Sequence, residues 1–567
     1  MQEVLHGYDV LVSAVHLTAS TLALLAPEIA FRKMHLYCMP LGEQTGGRLA
    51  LGSIEFLSDS SLPIQLDFMG ETSSSGTAQA VTGLGNEASQ APLPMLDLCV
   101  MNPPFVRSVG GNLLFGSLPN NVRKKMQHKL HTLLSTPDAG GRPILANSTA
   151  GLGSVFVAVA NPHVKPNGRI ALVLPAALAS GVAWEKTRLL FARNYVVELM
   201  VVSHDPSQWN FSENTDLSEI LVVARKRLEE ELIGDAQTTC VNLCRNTKTP
   251  VDALSLADAI LQNAPADVEG NTSSGSGVTV ITVNGSKYGE MVKLPWSSLL
   301  DAQWYVCSFA QTDLIRISHF MRKGKAYSPV EGEGKDLPLI PLGRVGMLGP
   351  DRRDIYDGFS ISESPTSYPA LWSHDAGTIK SLEVNPNLFL SPRSSPLQNR
   401  HARPVRLLWP RAGRIMLAER MRLNTQRLIA VRLPAPALSN VWWPFRLREE
   451  DESVEKIITL WLNSTLGLVT LLSYRVSTEG SWVQFKKPIL ERVPVLDARK
   501  LSSEQVQRLV NVYDQVSRLE LLPLSEMATD GTRELLDHAI AQVLELPSFD
   551  VIRQTLAREP IISGEPL

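Results

Sequence analysis

Met95–Phe105, with the sequence MLDLCVMNPPF, decides how the chain is read. Met95 to Met101 is a short apolar run broken only by Asp97, and it ends on Asn102-Pro103-Pro104-Phe105. An apolar run of this length, closed by prolines, reads as a strand covered on both faces. Two consecutive prolines fix φ and remove two backbone donors, so the carbonyls before them are held outward. Asn102, at the strand's carboxyl end, then presents an acceptor oxygen beside the Pro103 carbonyl. Two converging acceptors suit an exocyclic amino group, because they take both hydrogens and orient the nitrogen lone pair. Phe105 can stack on the ring that carries that amine. The same residues also suit a tight loop after a strand, with Asn102 as a turn former.

Working outward, similar β-rich runs occur at 49–57 (LALGSIEFL), 169–175 (RIALVLP), 196–202 (VVELMVV) and 219–225 (EILVVAR). Helical spacing of apolar residues fills 10–26, and 181–194 reads as a crossover helix. Apolar strands separated by helices predict a parallel sheet in a doubly wound α/β domain, with ligands at the carboxyl ends of strands. The run 219–225 follows 196–202 so closely that antiparallel pairing is expected there. Residues 70–90 are small and polar and read as a surface loop. Residues 263–277 (NAPADVEGNTSSGSG) read as a flexible linker, and 440–455 as a connection within the second half. Beyond 278, short strands rich in proline and glycine run to about 500. Two amphipathic helices then close the chain. The first opens with a capping box from Ser502 to Gln505 and stacks Val506, Leu509, Val510, Tyr513 and Val516 on one stripe; the second covers 532–546. The expected organisation is a catalytic domain over 1–262, a linker over 263–277, a second domain over 278–500 and a helical segment over 501–567.

A chain of 567 residues suggests two to four domains at ~100–200 residues each. With 44% hydrophobic residues and a net charge of −3, wholesale disorder is excluded. No apolar run approaches the ~18–20 residues of a membrane span, and the start MQEVLHGYDVLVS lacks the pattern of a secretion signal. Five cysteines, few and odd in number, argue against a disulfide scaffold and for a reducing, cytoplasmic setting. Cys240-X3-Cys244 has no second ligand pair at zinc spacing, so no metal is expected. GxSxG, P-loop and motor motifs are absent from the sequence, which disfavours hydrolase and helicase readings. Charge matters locally. Ten arginines lie from Arg393 to Arg432, among them Arg411 and Arg414, with Glu419 as the sole acid between them. Arginine suits bidentate contacts to phosphate and guanine edges, and Trp409 and His401 add stacking surfaces. A solvated or ion-paired set of strands explains the same run.

MLDLCVMNPPF resembles motif IV, the (N/D)PP(Y/F) signature of S-adenosylmethionine-dependent amino-methyltransferases. The order of the surrounding segments resembles N6-adenine-specific DNA methyltransferases, including type I modification subunits and type IIG-like enzymes. The resemblance covers about 5–227 in good motif order and 280–550 more loosely. It implies that Asn102, Pro103, Pro104 and Phe105 grip the target amine. HGYDVLVSAVHLTASTLALLAPE resembles motif II, whose acid accepts from the ribose hydroxyls of the cofactor. That role falls on Asp9, for which a helix N-cap is the alternative. LALGSIEFL resembles motif III, which implies contacts from Ser53, where Asp is usual, and Ile54 to the cofactor adenine. SHDPSQWNFSENTDLSEILVVARK resembles motif VIII, so Phe211 takes the place of the aromatic against a flipped base, with a core role as the alternative. Residues 460–495 resemble a target-recognition domain, with Arg475, Lys486 and Lys487 as candidate phosphate contacts.

The fold implied is an incomplete doubly wound Rossmann-like methyltransferase sheet followed by an α+β target-recognition-like domain. It is incomplete because motif I, a glycine loop that approaches the methionine end of S-adenosyl-L-methionine, is missing upstream of Asp9. Its strand belongs in the middle of the sheet, so two strand edges are expected to be unpaired and a companion chain or missing N-terminal segment to fill them. The function implied is methylation of adenine N6 in flipped DNA, within restriction-modification or a related defence system. The alternatives are a catalytically silent DNA-binding or assembly subunit, and a methyltransferase acting on RNA or protein glutamine. DNA is the expected partner, and a membrane is not.

Overall fold

The computed structural model describes the chain apart from residues 1–3, 30–33, 45–46, 60, 64–89, 106–113, 117, 139, 213–216, 229–230, 232, 271–276, 301–302, 330–331, 374–376, 394, 396–400, 402 and 478–479. The first strands are β1 (His6–Asp9), β2 (His35–Cys38), β3 (Leu41–Glu43), β4 (Leu49–Leu51), β5 (Ser61–Pro63), β6 (Gln90–Pro92) and β7 (Leu96–Met101). They are followed by β8 (Val164–Pro175), β9 (Tyr195–Ser203), β10 (Glu219–Lys226), β11 (Gln237–Leu243), β12 (Ala266–Asp267), β13 (Thr279–Val283) and β14 (Ser286–Pro295). The helices among them are α1 (Val12–Leu25), α2 (Asn120–Ser135), α3 (Leu152–His163), α4 (Glu185–Asn194), α5 (Pro250–Gln262) and α6 (Thr312–Arg322). The main sheet has the order β12-β14-β11-β9-β10-β8-β7, with β13 also on β14. This is a mixed α/β architecture. The loop expected over 70–90 lies outside the described residues except at Gln90, which opens β6.

The chain divides into two compact units, the first comprising Met1–Leu174, Ala183–Glu198 and Val222–Gly234. In it β1 pairs in parallel with β2, and β7 in parallel with β8, from Leu98 opposite Arg169 to Met101 opposite Leu172. On β8 the buried Ile170, Leu172 and Leu174 alternate with partly or fully exposed neighbours. Helix α3 packs closely on this strand because Gly153 has no side chain. A Cβ there would stand 3.0 Å from Leu174 and 3.1 Å from Trp184. The same helix meets the other strand pair's surroundings, where His163 Nε2 lies 3.3 Å from the Phe56 carbonyl and Tyr8 of β1 packs edge-on against Phe56. Helix α1 packs Val15, Ala19, Leu22 and Ala23 against Met34 and against Leu36 and Cys38 of β2.

Two expectations for this unit need correction. β7 is not covered on both faces: Leu98 is 57% and Val100 71% exposed. The parallel neighbour of β1 is His35–Cys38, a run too short to stand out in the sequence, and LALGSIEFL is not one continuous strand. In that segment only Leu49–Leu51 is a strand, paired antiparallel with β3, and Gly52–Leu57 is a 3-10 helix. Gly52, at φ +67°, makes that change of direction possible, and Leu51 and Ile54 then reach Met126 and Leu130 of α2.

The second unit comprises Pro175–Val182, Leu199–Leu221 and Asp235–Leu567. In it β11 lies between β9, to which it is parallel, and β14, to which it is antiparallel. Part of the segment expected to be a linker is held in this sheet, while its residues 271–276 lie outside the described residues. Ala266 and Asp267 pair with β14, Val268 N donates to Lys293 O, and Thr279 Oγ1 donates to Ala264 O. Its polar composition hides a two-residue strand at Ala266–Asp267. Residues 440–455, expected to be a connection, contain the strand Trp442–Leu447 with both tryptophans buried. That strand belongs to a seven-stranded sheet with Gly413–Ala418 and Ala430–Ser439. The helix Ser503–Val516 has the predicted capping box and buries Leu509, Tyr513 and Val516, and Gly531–Leu544 forms the second helix. Among the described residues no helix is long and apolar enough to cross a membrane.

Candidate functional site: two strand ends and a buried arginine cavity

In the first unit, two predicted residues stand where parallel strands end. Asp9 closes β1, and Asn102 follows the last residue of β7. Asn102 and Pro104 are exposed, Pro103 is buried and Phe105 is half-buried, so the tetrapeptide alternates between anchoring and presenting residues. Asp9 Oδ1 accepts from Leu11 N at 2.7 Å, a local turn that leads into α1. Ser53 is half-buried in the 3-10 helix, and Ile54 lies in the core with Leu114 and Val155. Gly151, at φ +104°, precedes α3 but follows a 3-10 turn, Ser148–Ala150, and no strand. Among the described residues β1 and β7 each have one partner strand.

Arg403, Arg414, Arg427 and Arg432 of the arginine-rich run are paired with acids from elsewhere in the chain. Arg432 Nε lies 3.0 Å from Glu455 and its Nη2 3.1 Å from Glu452; Arg414 is 3.7 Å from Glu455. Arg403 pairs with Asp354 at 2.8 Å, and Arg427 with Glu520 at 2.9 Å. Arg411 is exposed at the end of a 3-10 turn. Lys487 Nζ donates to the Leu348 carbonyl at 2.9 Å, and Lys486 is half-buried near Glu419. Arg420 lies over the exposed Trp482 ring at 4.8 Å. Phe211 is packed against the Val201, Val241 and Met291 cluster, and its backbone N–H donates to Glu219 at 2.7 Å.

A cavity in the second unit is lined by His204, Trp209, Ser218, Cys307, Arg475 and Ser477, among others. His204 Nε2 is 3.1 Å from Asn242 Oδ1, while Asn242 Nδ2 donates to Val306 O at 3.1 Å. The amide orientation makes Nε2 the donor and leaves Nδ1 as an acceptor. Burial, with Arg475 nearby, pushes the His204 pKa down to about 3, so the ring is neutral. Arg475 is 3% exposed, so it lies in the cavity wall rather than on the outer surface. Its Nη1 donates to Leu472 O at 3.0 Å, its Nη2 donates to Ser308 O, and its Nε has no partner.

No protein-family model matches this sequence, and no curated protein is detectably similar to it. Among solved structures, the type IIG restriction endonuclease BpuSI is similar over 82% of this chain and 55% of its own, at 13% identity and a TM-score of 0.30. The type IIL restriction-modification enzyme MmeI, in complex with DNA, is similar over 81% of this chain and 56% of its own, at 10% identity and a TM-score of 0.37. The methyltransferase subunit of a type I restriction-modification system from Streptococcus thermophilus is similar over 38% of this chain and 37% of its own, at 12% identity and a TM-score of 0.21. The chain thus spans just over half the length of BpuSI and MmeI.

Sequence reasoning missed the cavity. His204 and Asn242 are 38 residues apart, and Arg475 and Ser308 167 apart, so no local pattern announces their meeting. The one available signal was a neutral-looking SHD turn directly after an apolar strand.

Proposed function

We propose that this chain transfers a methyl group from S-adenosylmethionine to adenine N6 in DNA, within a restriction-modification or related defence system. The observation that carries this reading is the exposed Asn102 directly after a parallel strand, with Pro103 anchored in the protein beside it. Asn102 Oδ1 and the Pro103 carbonyl would accept the two amine hydrogens, and Phe105 would support the purine ring. Positioning then supplies most of the rate, because the amine needs no strong base until its nitrogen becomes positive. S-adenosylmethionine, when bound, supplies an electrophilic methyl group. The residues present fit part of it. Asp9 suits the ribose hydroxyls and half-buried Ser53 the adenine, while Ile54 is committed to the core. A glycine loop for the methionine end is sought in a companion strand-loop-helix segment. Arg411, Arg414, Lys486 and Lys487 are proposed to face the DNA backbone, and the setting is the cytoplasm.

The edges of β1 and β7 left without a partner strand among the described residues favour a second reading, a silent DNA-binding or assembly subunit. One experiment separates the two. The chain is co-expressed with a strand-glycine-loop-helix companion, and N6-methyladenine is measured by mass spectrometry on unmethylated DNA. Asn102→Ala is expected to lower the methylation rate by roughly 10²-fold or more, as for removal of one preorganised hydrogen-bonding group. An unchanged rate removes Asn102 from the mechanism. DNA binding with no methylation in any combination supports the silent subunit.

A further inference from the structure

We propose that the cavity beside Arg475 is a binding site for a phosphate-type oxyanion, held by the guanidinium edge and the hydroxyls around it. The argument begins with the cost of a buried charge. A guanidinium out of water is tolerated when it is paired or fully hydrogen-bonded, and otherwise is strongly unfavourable. Arg475 has five N–H donors, and two are accounted for by the Leu472 and Ser308 carbonyls. Nε is buried with no partner, and no carboxylate lies within ion-pair distance of Arg475 among the described residues. The Phe309 ring, 5.2 Å from the guanidinium carbon, covers one face but neutralises nothing.

The nearest acid does not fill this role. Glu559 feels the field of Arg475, but its oxygens accept from Ala310 N at 2.6 Å and Gln311 Nε2 at 3.1 Å. Burial raises its pKa to about 7, so near neutrality it carries a fraction of a charge. The side chain that carries an uncompensated charge also lines an open space, together with Ser180, Ser218 and Ser477. Neutral His204 on the same wall adds a lone pair for an anion that retains a proton. A guanidinium edge with several hydroxyls around it matches a tetrahedral oxyanion better than a planar carboxylate. Free inorganic phosphate and a phosphodiester of the DNA backbone share this chemistry. The inference does not depend on methyl transfer.

The test uses the whole chain and inorganic phosphate, with chloride at matched ionic strength and acetate as controls. Phosphate is expected to raise the melting midpoint saturably, by several degrees, where chloride and acetate do not. Ser477→Leu narrows the cavity while keeping the charge, and should abolish the response. Arg475→Met should abolish it too, with a melting midpoint in chloride equal to or above that of the parent. A short single-stranded oligothymidine that competes with phosphate identifies the DNA backbone as the source; failure to compete identifies the free ion. A phosphate response no larger than that of chloride or acetate overturns the proposal. So does a response that survives Ser477→Leu, or an Arg475→Met protein that loses stability in chloride, which marks the arginine as a clamp between two carbonyls.

Discussion

Glu559 shows what a single buried carboxyl does to the pH response of this protein. Its folded pKa is pushed up to about 7, from 4.5 for an ordinary glutamate, because burial outweighs the hydrogen bonds from Ala310 and Gln311. The folded state therefore binds the proton more tightly than the unfolded chain. The stability it contributes is fully present below pH 4.5 and is lost as pH rises through about 7. Glu559→Gln should remove this slope: denaturant melts at pH 4.5 and 7.5 should show a smaller loss for the variant than for the parent, and equal losses would contradict the assignment. At this scale the sequence was informative where chemistry is local. The place of Asn102 directly after a strand could be read from the apolar run before it and the two prolines behind it. Arg432 could not, because Glu452 and Glu455 reach it from a helix about twenty residues away, and the arginine-rich run therefore looked less neutralised than it is.

Among the elements, β7 and α1 depart most from what their patterns predict. Alternating exposure along β7 leaves Leu98 and Val100 bare, and α1, apolar on nearly every side, exposes Leu17 at 70% and Leu24 at 77%. A helix apolar all round is normally buried, and a long unpaired strand edge normally covered. Because β1 and β7 each belong to a parallel pair, a strand inserted beside either one in the same sense needs a crossover, which brings its own helix. Leu98→Asp with Val100→Asp should leave the unfolding free energy of the isolated chain nearly unchanged, within about 0.5 kcal/mol for each substitution, since both side chains are exposed. The same pair should prevent a companion segment from co-purifying. Co-purification that survives both charges would place the companion elsewhere. The sequence supplied the periods of α1 and β7 but not β2, whose four residues are too few to display one.

For the whole molecule, the prediction concerns the cofactor. An isolated preparation should bind S-adenosylmethionine weakly or not at all in calorimetry, and addition of the companion should restore saturable binding. Tight binding by the chain alone would show that its own residues complete the site. The α/β class and the closing helices were legible because long periodic segments dominate them. The pairing of Ala266–Asp267 with β14 was not. A glycine- and serine-rich stretch signals a boundary only if its flanks do not pair, and here Ala266 and Asp267 find β14 across that stretch. Composition cannot register such a pairing, because β14 supplies the other half of every bond.

The bare side chains of α1 and β7 also bear on dosage. Copies made in excess of whatever covers them would meet one another through the same surfaces, and such encounters end in precipitation or proteolysis. The amount of this chain in a cell should then track the amount of its cover, and overproduction by itself should yield inclusion bodies long before it yields more working protein.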